Sequence, residues 1–492
     1  MEGLRRGMKI PMVQMTPRQR RKRRHAIFAL LAFLPGCSTL NNVSNSLLGA
    51  GPQPGAPGYV AGFLGGVVAD EPRAALAGRE VLSSGGTAGD AAVAVALTLA
   101  VTLPSRAGLG GGGACLAYAS GDKTKSDGVP DAIMFVPPAA SGGAGGDRPA
   151  AVPMLARGMY LLSARYGSVP FETIVSSVEQ LARFGVPVSR ALARDLSVVS
   201  GPLFTDPSAR AVFSNNGVPL TEGQTLRESE LGATLAQIRV AGVGDMYVGT
   251  LAQRIAQASQ SVGGPISLAD LRNGLPKLMA PLIRDYGNDK VAFLPPPADG
   301  GLAAEAAFNI LVKSPDAVPA ANSLALAVAA RWRAGGVTPE SLLASQNLPA
   351  ATNTAYPAST SFVTMDRNGN AVACALTMNN LFGTGRILPG VGFIPAASPS
   401  VVQPPLLSAG LVWNQHLRAF RAAAAASGQF AAPVSVAFGL ANTLRTNRPL
   451  SVPVPDPGRL NIAACAAYLP GESGLCGWAT DPRGDGLAIG AN

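Results

Sequence analysis

The chain has 492 residues, enough for a large core in one or two domains. Hydrophobic residues make up 47% and charged residues only 14%, yet 58 glycines and 41 prolines break the apolar runs. No stretch after residue 40 gives the ~18 uninterrupted apolar residues of a transmembrane helix, so the composition is that of an ordered globular chain. The net charge of +10 is concentrated at one end: residues 1–37 hold nine Lys and Arg against one Glu, which leaves +2 for the remainder. The basic balance therefore gives no nucleic-acid surface.

The leader is a basic stretch followed by the apolar run 26–34 and then Pro35-Gly36-Cys37. This is the pattern of a signal peptide and too short for a stable span. Leu34-Pro-Gly-Cys37 resembles a bacterial lipobox, with Cys37 as the lipidated residue. Ordinary cleavage for secretion and a retained anchor are the alternatives. Arg23-Arg24 loosely resembles a twin-arginine signal. Residues 38–64 turn polar and then rich in Gly and Pro, as expected of a flexible linker between an anchor and a body. The expected location is the periplasmic side of the cell envelope, with a lipid tether through Cys37.

The body opens near residue 65. Helices are expected over 72–84 and 88–103, then a glycine-rich run, S-R-A-G-L-G-G-G-G (105–113), then an apolar strand over 114–119. Gly108, Gly110 and Gly113 spell G-x-G-x-x-G. A dinucleotide site needs strand, glycines, helix, and here the order is helix, glycines, strand. The region 159–345 reads as amphipathic helices separated by Pro and Gly turns, a scaffold. Next comes a β-hairpin: 361–366 and 371–377 are β-rich runs on either side of Arg367-Asn-Gly-Asn370. A two-residue loop at Asn368-Gly369 would set Thr360 opposite Thr377 and Ser359 opposite Met378, within one residue. A hydroxyl cluster of Ser359, Thr360 and Thr377 then forms at the open end, with Asn379 just beyond.

That hairpin resembles the start of the small subunit of γ-glutamyltranspeptidases, members of the N-terminal nucleophile hydrolases. Aligning D-R-N-G-N-A-V (366–372) and F-G-T-G (382–385) puts Ser359 at the nucleophile position. Thr377 and Asn379 fall on the second hydroxyl and its neighbouring amide. Other motifs follow in the same order: G-G-T-A-G-D-A-A (85–92), A-V-P-M-L-A-R-G (151–158), L-P-P-P-A-D-G-G (294–301) and the ending D-P-R-G-D-G-L-A-I-G (481–490). The resemblance covers about 65–492. It implies an α+β, four-layer αββα sandwich of antiparallel sheets flanked by helices. A large-subunit-like region, 65–358, and a small-subunit-like region, 359–492, would form one intertwined domain. It also implies cleavage before Ser359, whose freed α-amine serves as base, so neither histidine nor a cofactor is required. Thr360, Gly383, Thr384 and Gly428 are the expected substrate contacts, and Thr360 is the alternative nucleophile. Read alone, Ser359 is a strand-end or turn hydroxyl.

The chain departs from the family pattern where the substrate head group is held. Val136 stands where an arginine grips the α-carboxylate, and the acid-bearing loop falls on 396–401, which has no acid. The P-G-G-S loop falls on 423–430, A-A-A-A-S-G-Q-F, where Gly428 is kept. Glutathione is thus expected to be a poor substrate. Two readings stand: a self-cleaving amidohydrolase or acyltransferase acting on a small amide or peptide, or a non-catalytic, lipid-tethered relative. The two histidines, His25 and His416, are too few for a zinc site with several His ligands, and no metal is expected. In an exported chain Cys465 and Cys476 are expected to close a short disulfide loop, while Cys115 and Cys374 read as plain core residues.

Overall fold

The computed structural model describes residues 62–120, 127–142, 146–345, 348–349, 358–449 and 454–491. The leader with Cys37, and all but the last three residues of the 38–64 stretch, lie outside them. The strands of the two main sheets are β1 (Gly65–Ala69), β2 (Gly112–Tyr118), β3 (Asp131–Phe135), β4 (Lys277–Met279), β5 (Leu282–Tyr286), β6 (Asp289–Phe293), β7 (Ser359–Asp366), β8 (Ala371–Thr377), β9 (Ser408–Asn414), β10 (Ala419–Ser427), β11 (Arg459–Leu469), β12 (Cys476–Thr480) and β13 (Leu487–Ala491). One sheet runs β13-β1-β7-β8-β2-β3-β4 and the other β12-β11-β10-β9-β6-β5, with antiparallel pairing between neighbours. Strands from before and after residue 358 are interleaved in the first sheet and share the second.

The period-2 alternation of the strands sorts their side chains into layers. Leu116, Val363, Met365, Ala373 and Ala375 of the first sheet share a buried layer with Ala409, Leu411, Trp413, Ala423, Ala425 and Ala463 of the second. Their alternate neighbours face outward under helices. Ile133, Phe135, Phe362 and Leu376 pack beneath helices that include α1 (Pro72–Ser83), α2 (Ala88–Thr102), α3 (Leu155–Tyr166) and α4 (Phe171–Phe184). Val412, Ala422, Ala424 and Ile462 pack beneath α5 (Gly300–Leu311), α6 (Val318–Arg333) and α7 (Ala432–Thr446). The result is a four-layer αββα sandwich. Much of the inner layer is alanine, which brings the sheets together on short side chains, with Tyr118, Trp413 and Phe420 as its large fully buried aromatic members. Among the described residues no helix is long and apolar enough to cross a membrane.

The region 159–345 is more than a helical scaffold. Three of its strands, β4, β5 and β6, extend the two sheets. They are short, and β5 is largely exposed, so they carry little of the apolar alternation that marks a strand.

The motifs around α2 act as mortar. Thr87 and Asp90 form a capping box at its N-terminus, and Asp90 also accepts hydrogen bonds from Ser168 N–H (3.0 Å) and Val169 N–H (3.1 Å) beyond α3. The hairpin reaches the same helix end: Ala88 N–H donates to Asp366 Oδ2 (2.9 Å), and Thr364 Oγ1 donates to Ala88 O (2.7 Å). A carboxylate there suits the positive end of the helix dipole.

The hairpin loop differs from the two-residue turn read from Asn-Gly. Asp366 N–H donates to Asn370 O (3.0 Å), so the loop has three residues, 367–369, with Gly369 at φ +80°. Asp366 Oδ1 accepts from Asn368 N–H (2.9 Å) and Asn370 N–H (3.2 Å), an Asx turn that competes with the tighter geometry. An added Cβ at Gly369 would lie 1.9 Å from Leu469 O.

Glu305 is buried on α5, and burial pushes its carboxyl from 4.5 up to about 7. A raised carboxyl pKa stabilises the fold below the unfolded value, and this contribution is lost as pH rises toward 7. Glu305→Gln is therefore expected to raise the melting temperature by roughly 2–4 °C near pH 8 and to change it little near pH 4, read from parallel thermal scans.

Candidate active site

The hairpin register fixes the site. Ser359, the first residue of β7, lies directly opposite Thr377, the last residue of β8. The register read from the sequence set Thr360 there. The one-residue difference follows from the extra loop residue and exchanges which face each side chain occupies. Ser359 and Thr377 share the pleat of the inner layer, whereas Thr360 falls on the opposite pleat and gives its hydroxyl to Asp70 Oδ2 (3.2 Å). Thr360 therefore does not stand beside Thr377.

Thr377 Oγ1 donates to the carbonyl oxygen of Ala358 (2.9 Å), the residue immediately before Ser359. Asn379 N–H donates to Thr377 Oγ1 (2.7 Å) and so directs the threonine proton toward that carbonyl. Asn379 adopts φ +61°, and its Nδ2 donates to Ala397 O (2.9 Å). Ser359 is 2% exposed, and its Oγ has no hydrogen-bond partner among the described residues. A buried, unpaired hydroxyl thus adjoins a carbonyl whose oxygen is held by a donor. The glycine-rich run closes the floor: a Cβ at Gly111 would lie 2.4 Å from Thr377 O, so only glycine admits that approach.

Gly383 and Thr384 sit in the turn after Asn379. Thr384 N–H donates to Pro395 O (2.9 Å), and its buried Oγ1 is unpaired among the described residues. The acid-free stretch 396–401 packs here through Ala396, Ala397 and Ser398, all buried, and Val136 is half-buried at the end of β3. Gly428, at φ +100°, ends β10 and leads into the turn before α7, next to Ser427, whose Oγ also lacks a partner among the described residues.

Three site residues escaped the sequence reading. Asp70 follows β1. Its Oδ2 accepts from Ser361 N–H (2.9 Å) as well as Thr360, and its Oδ1 accepts from Asn461 Nδ2 (2.7 Å). Asn461 also donates to Ser361 O (3.0 Å) and Ser361 Oγ (2.9 Å), and its own Oδ1 accepts from Thr480 Oγ1 (2.7 Å). This polar clasp ties the second and third residues of β7 to both sheets. Asn461 could have been noticed as the one polar side chain inside an apolar strand, 460–467. Arg106, half-buried and paired with Asp195 (2.6 Å), lines a cleft of about 160 Å³ with Asp70, Arg194, Ser427, Gly428 and Arg459. A roomier hollow of about 510 Å³ lies under α5 and α6, on the helix side of the other sheet.

Two of the four described cysteines depart from expectation, and the other two pair as expected. Cys115 and Cys374 face each other across β2 and β8 and form a disulfide, rather than standing as separate core thiols. Cys465 and Cys476 form a second, across β11 and β12. His416 is exposed.

Residues 74–324 match the family model described as gamma-glutamyltranspeptidase. The chain belongs to the γ-glutamyltranspeptidase family. It is 30% identical over 379 residues to the glutathione hydrolase proenzyme of Escherichia coli K12, a match covering 65% of this chain and 64% of that protein. It is 27% identical over 349 residues to the capsule biosynthesis protein CapD proenzyme of Bacillus anthracis, covering 66% and 63%. The chain thus spans less than two thirds of the length of each of these two relatives. In fold it is similar to the cephalosporin acylase of Bacillus halodurans, with a TM-score of 0.69 at 20% identity over 89% of this chain and 98% of that one.

The clasp carries a stability prediction. Asp70→Ala and Asn461→Ala each leave buried partners unsatisfied and are expected to cost about 2–4 kcal/mol in denaturant unfolding. The double variant is expected to cost at least ~1 kcal/mol less than their sum, as for residues in one network.

Proposed function

We propose that this protein is a self-cleaving amidohydrolase or acyltransferase whose nucleophile is Ser359. The observation that carries the reading is the hydrogen bond from Thr377 Oγ1 to Ala358 O beside an unpaired Ser359 Oγ. Thr377 withdraws electron density from the carbonyl that Ser359 attacks. The attack forms a C–O bond, the Ala358–Ser359 C–N bond breaks, and an ester with a free α-amine results. Water then releases Ala358 as a carboxylate and leaves Ser359 as a new N-terminus. In turnover that amine takes the hydroxyl proton as Ser359 attacks a substrate amide, then passes it to the leaving amine. Water or an acceptor amine resolves the acyl-enzyme. Thr377 stays as donor to the oxyanion, and the backbone at Ser427-Gly428 is the candidate for a second donor.

Substrate choice is where the chain parts from its relatives. With Val136 and the acid-free 396–401 stretch, both ends of a free α-amino-acid head lose their partners. The favoured substrates are small amides or peptides whose acyl part lacks that head, entering by the cleft of Arg106, Arg194 and Arg459. A non-catalytic relative is the second reading. Its support is that these three arginines already pair with Asp195, Asp485 and Asp456. Export, with a lipid tether through Cys37, completes the proposal. Two disulfides support an oxidising compartment.

Ser359→Ala is expected to stop cleavage and to hold amide hydrolysis at background, while Ser359→Thr, which keeps the hydroxyl, still cleaves. Thr377→Val is expected to slow the appearance of fragments by ~10²-fold, the usual cost of one oxyanion donor. Continued splitting of Ser359→Ala at the same bond would remove Ser359 from the role. Faster hydrolysis of γ-glutamyl amides than of head-less acyl amides would overturn the substrate reading.

A further inference from the structure

We propose that the Cys115–Cys374 disulfide joins the two chains that cleavage creates, so that the mature protein is one covalent molecule. This rests on the self-cleavage reading above. Cys115 lies on β2 and Cys374 on β8, 259 residues apart in sequence, and the Ala358–Ser359 bond falls between them. They are direct cross-strand partners, bonded on the helix-facing pleat opposite the one that carries Thr377. The other disulfide, Cys465–Cys476, lies wholly after residue 359 and cannot bridge the break. Hydrolysis of Ala358–Ser359 consumes one water, breaks one C–N bond and leaves the S–S bond intact.

Both cysteines are fully buried in the cluster that also holds Ile133, Phe135, Phe362 and Leu376. A reductant therefore reaches them only after unfolding, when a dithiol supplies two electrons and two protons to return them to thiols. The bond spans two neighbouring strands of the nucleophile's sheet, one from each product chain. β8 comes from the chain that begins at Ser359, and β2 from the chain that ends at Ala358. Linked in this way, the two chains meet again after unfolding as parts of one molecule, at an effective concentration set by the tether rather than by dilution. Two separate chains would instead have to find each other by collision.

The test uses the full chain after processing, alkylated and denatured without reductant. The expected species has the mass of the uncut chain plus one water and separates into two pieces only after dithiothreitol in denaturant. A non-reducing peptide map is expected to yield the Cys115 and Cys374 peptides joined. The double substitution Cys115→Ala/Cys374→Ala is expected to let the pieces part without reductant, and Cys465→Ala/Cys476→Ala to keep them joined. Refolding of the oxidised wild type by dilution is expected at a rate independent of protein concentration. Wild-type pieces that part without reductant would overturn the tether and leave the cleavage reading standing. A chain without the added water would overturn both.

Discussion

The hydrogen bond from Thr377 to the Ala358 carbonyl depends on a register, and the register depends on a loop. A two-residue loop would set Thr360 opposite Thr377 and turn Ser359 to the other face. The Asx turn of Asp366 inserts the third residue, and Gly369 provides the left-handed step it needs. The same Asp366 also receives Ala88 N–H, so loop geometry and helix position are set by one carboxylate. The site is therefore specified seven residues along each strand from its chemistry, from Ser359 to Asp366 and from Asn370 to Thr377, at the closed end of the hairpin.

At the open end the constraint is burial. Ser359, Thr377 and Asn379 are all nearly inaccessible to solvent, where an unpaired polar atom costs free energy. Most of the polar atoms there are paired: Thr377 with Ala358 and Asn379, and Asp70 with Thr360, Ser361 and Asn461. The Ser359 hydroxyl is an exception among the described residues. Asn379 Oδ1 and Thr384 Oγ1 are also unpaired among the described residues, and buried polar atoms left without partners are the groups for which a functional role is sought.

Much of this was legible in the chain. The helices around 72–84 and 88–103, the strand after the glycine run and both hairpin strands follow from periodicity, turn residues and caps, and they stand within two residues of expectation. The family motifs carried the αββα layering. What was hidden had local causes. β4 and β5 lack a strong alternating pattern, and the alanines of β10 alternate between two buried layers without any change of residue type. The Cys115–Cys374 pairing needs two strands 259 residues apart to be placed side by side, which no local pattern shows. Asp70 reads as part of a turn until β1 brings it against β7. The hairpin was read correctly but one residue out of step, because Asn-Gly signals a turn and not its length.

The most direct measurement is the intact mass of the purified chain, followed over time across a dilution series. If the Ala358–Ser359 bond is cut by its own neighbours, the break falls at that bond alone and its first-order rate is unchanged by dilution. A chain that never takes up water, a break elsewhere, or a rate that falls with dilution would contradict Ser359 as a self-activating nucleophile and favour the non-catalytic relative.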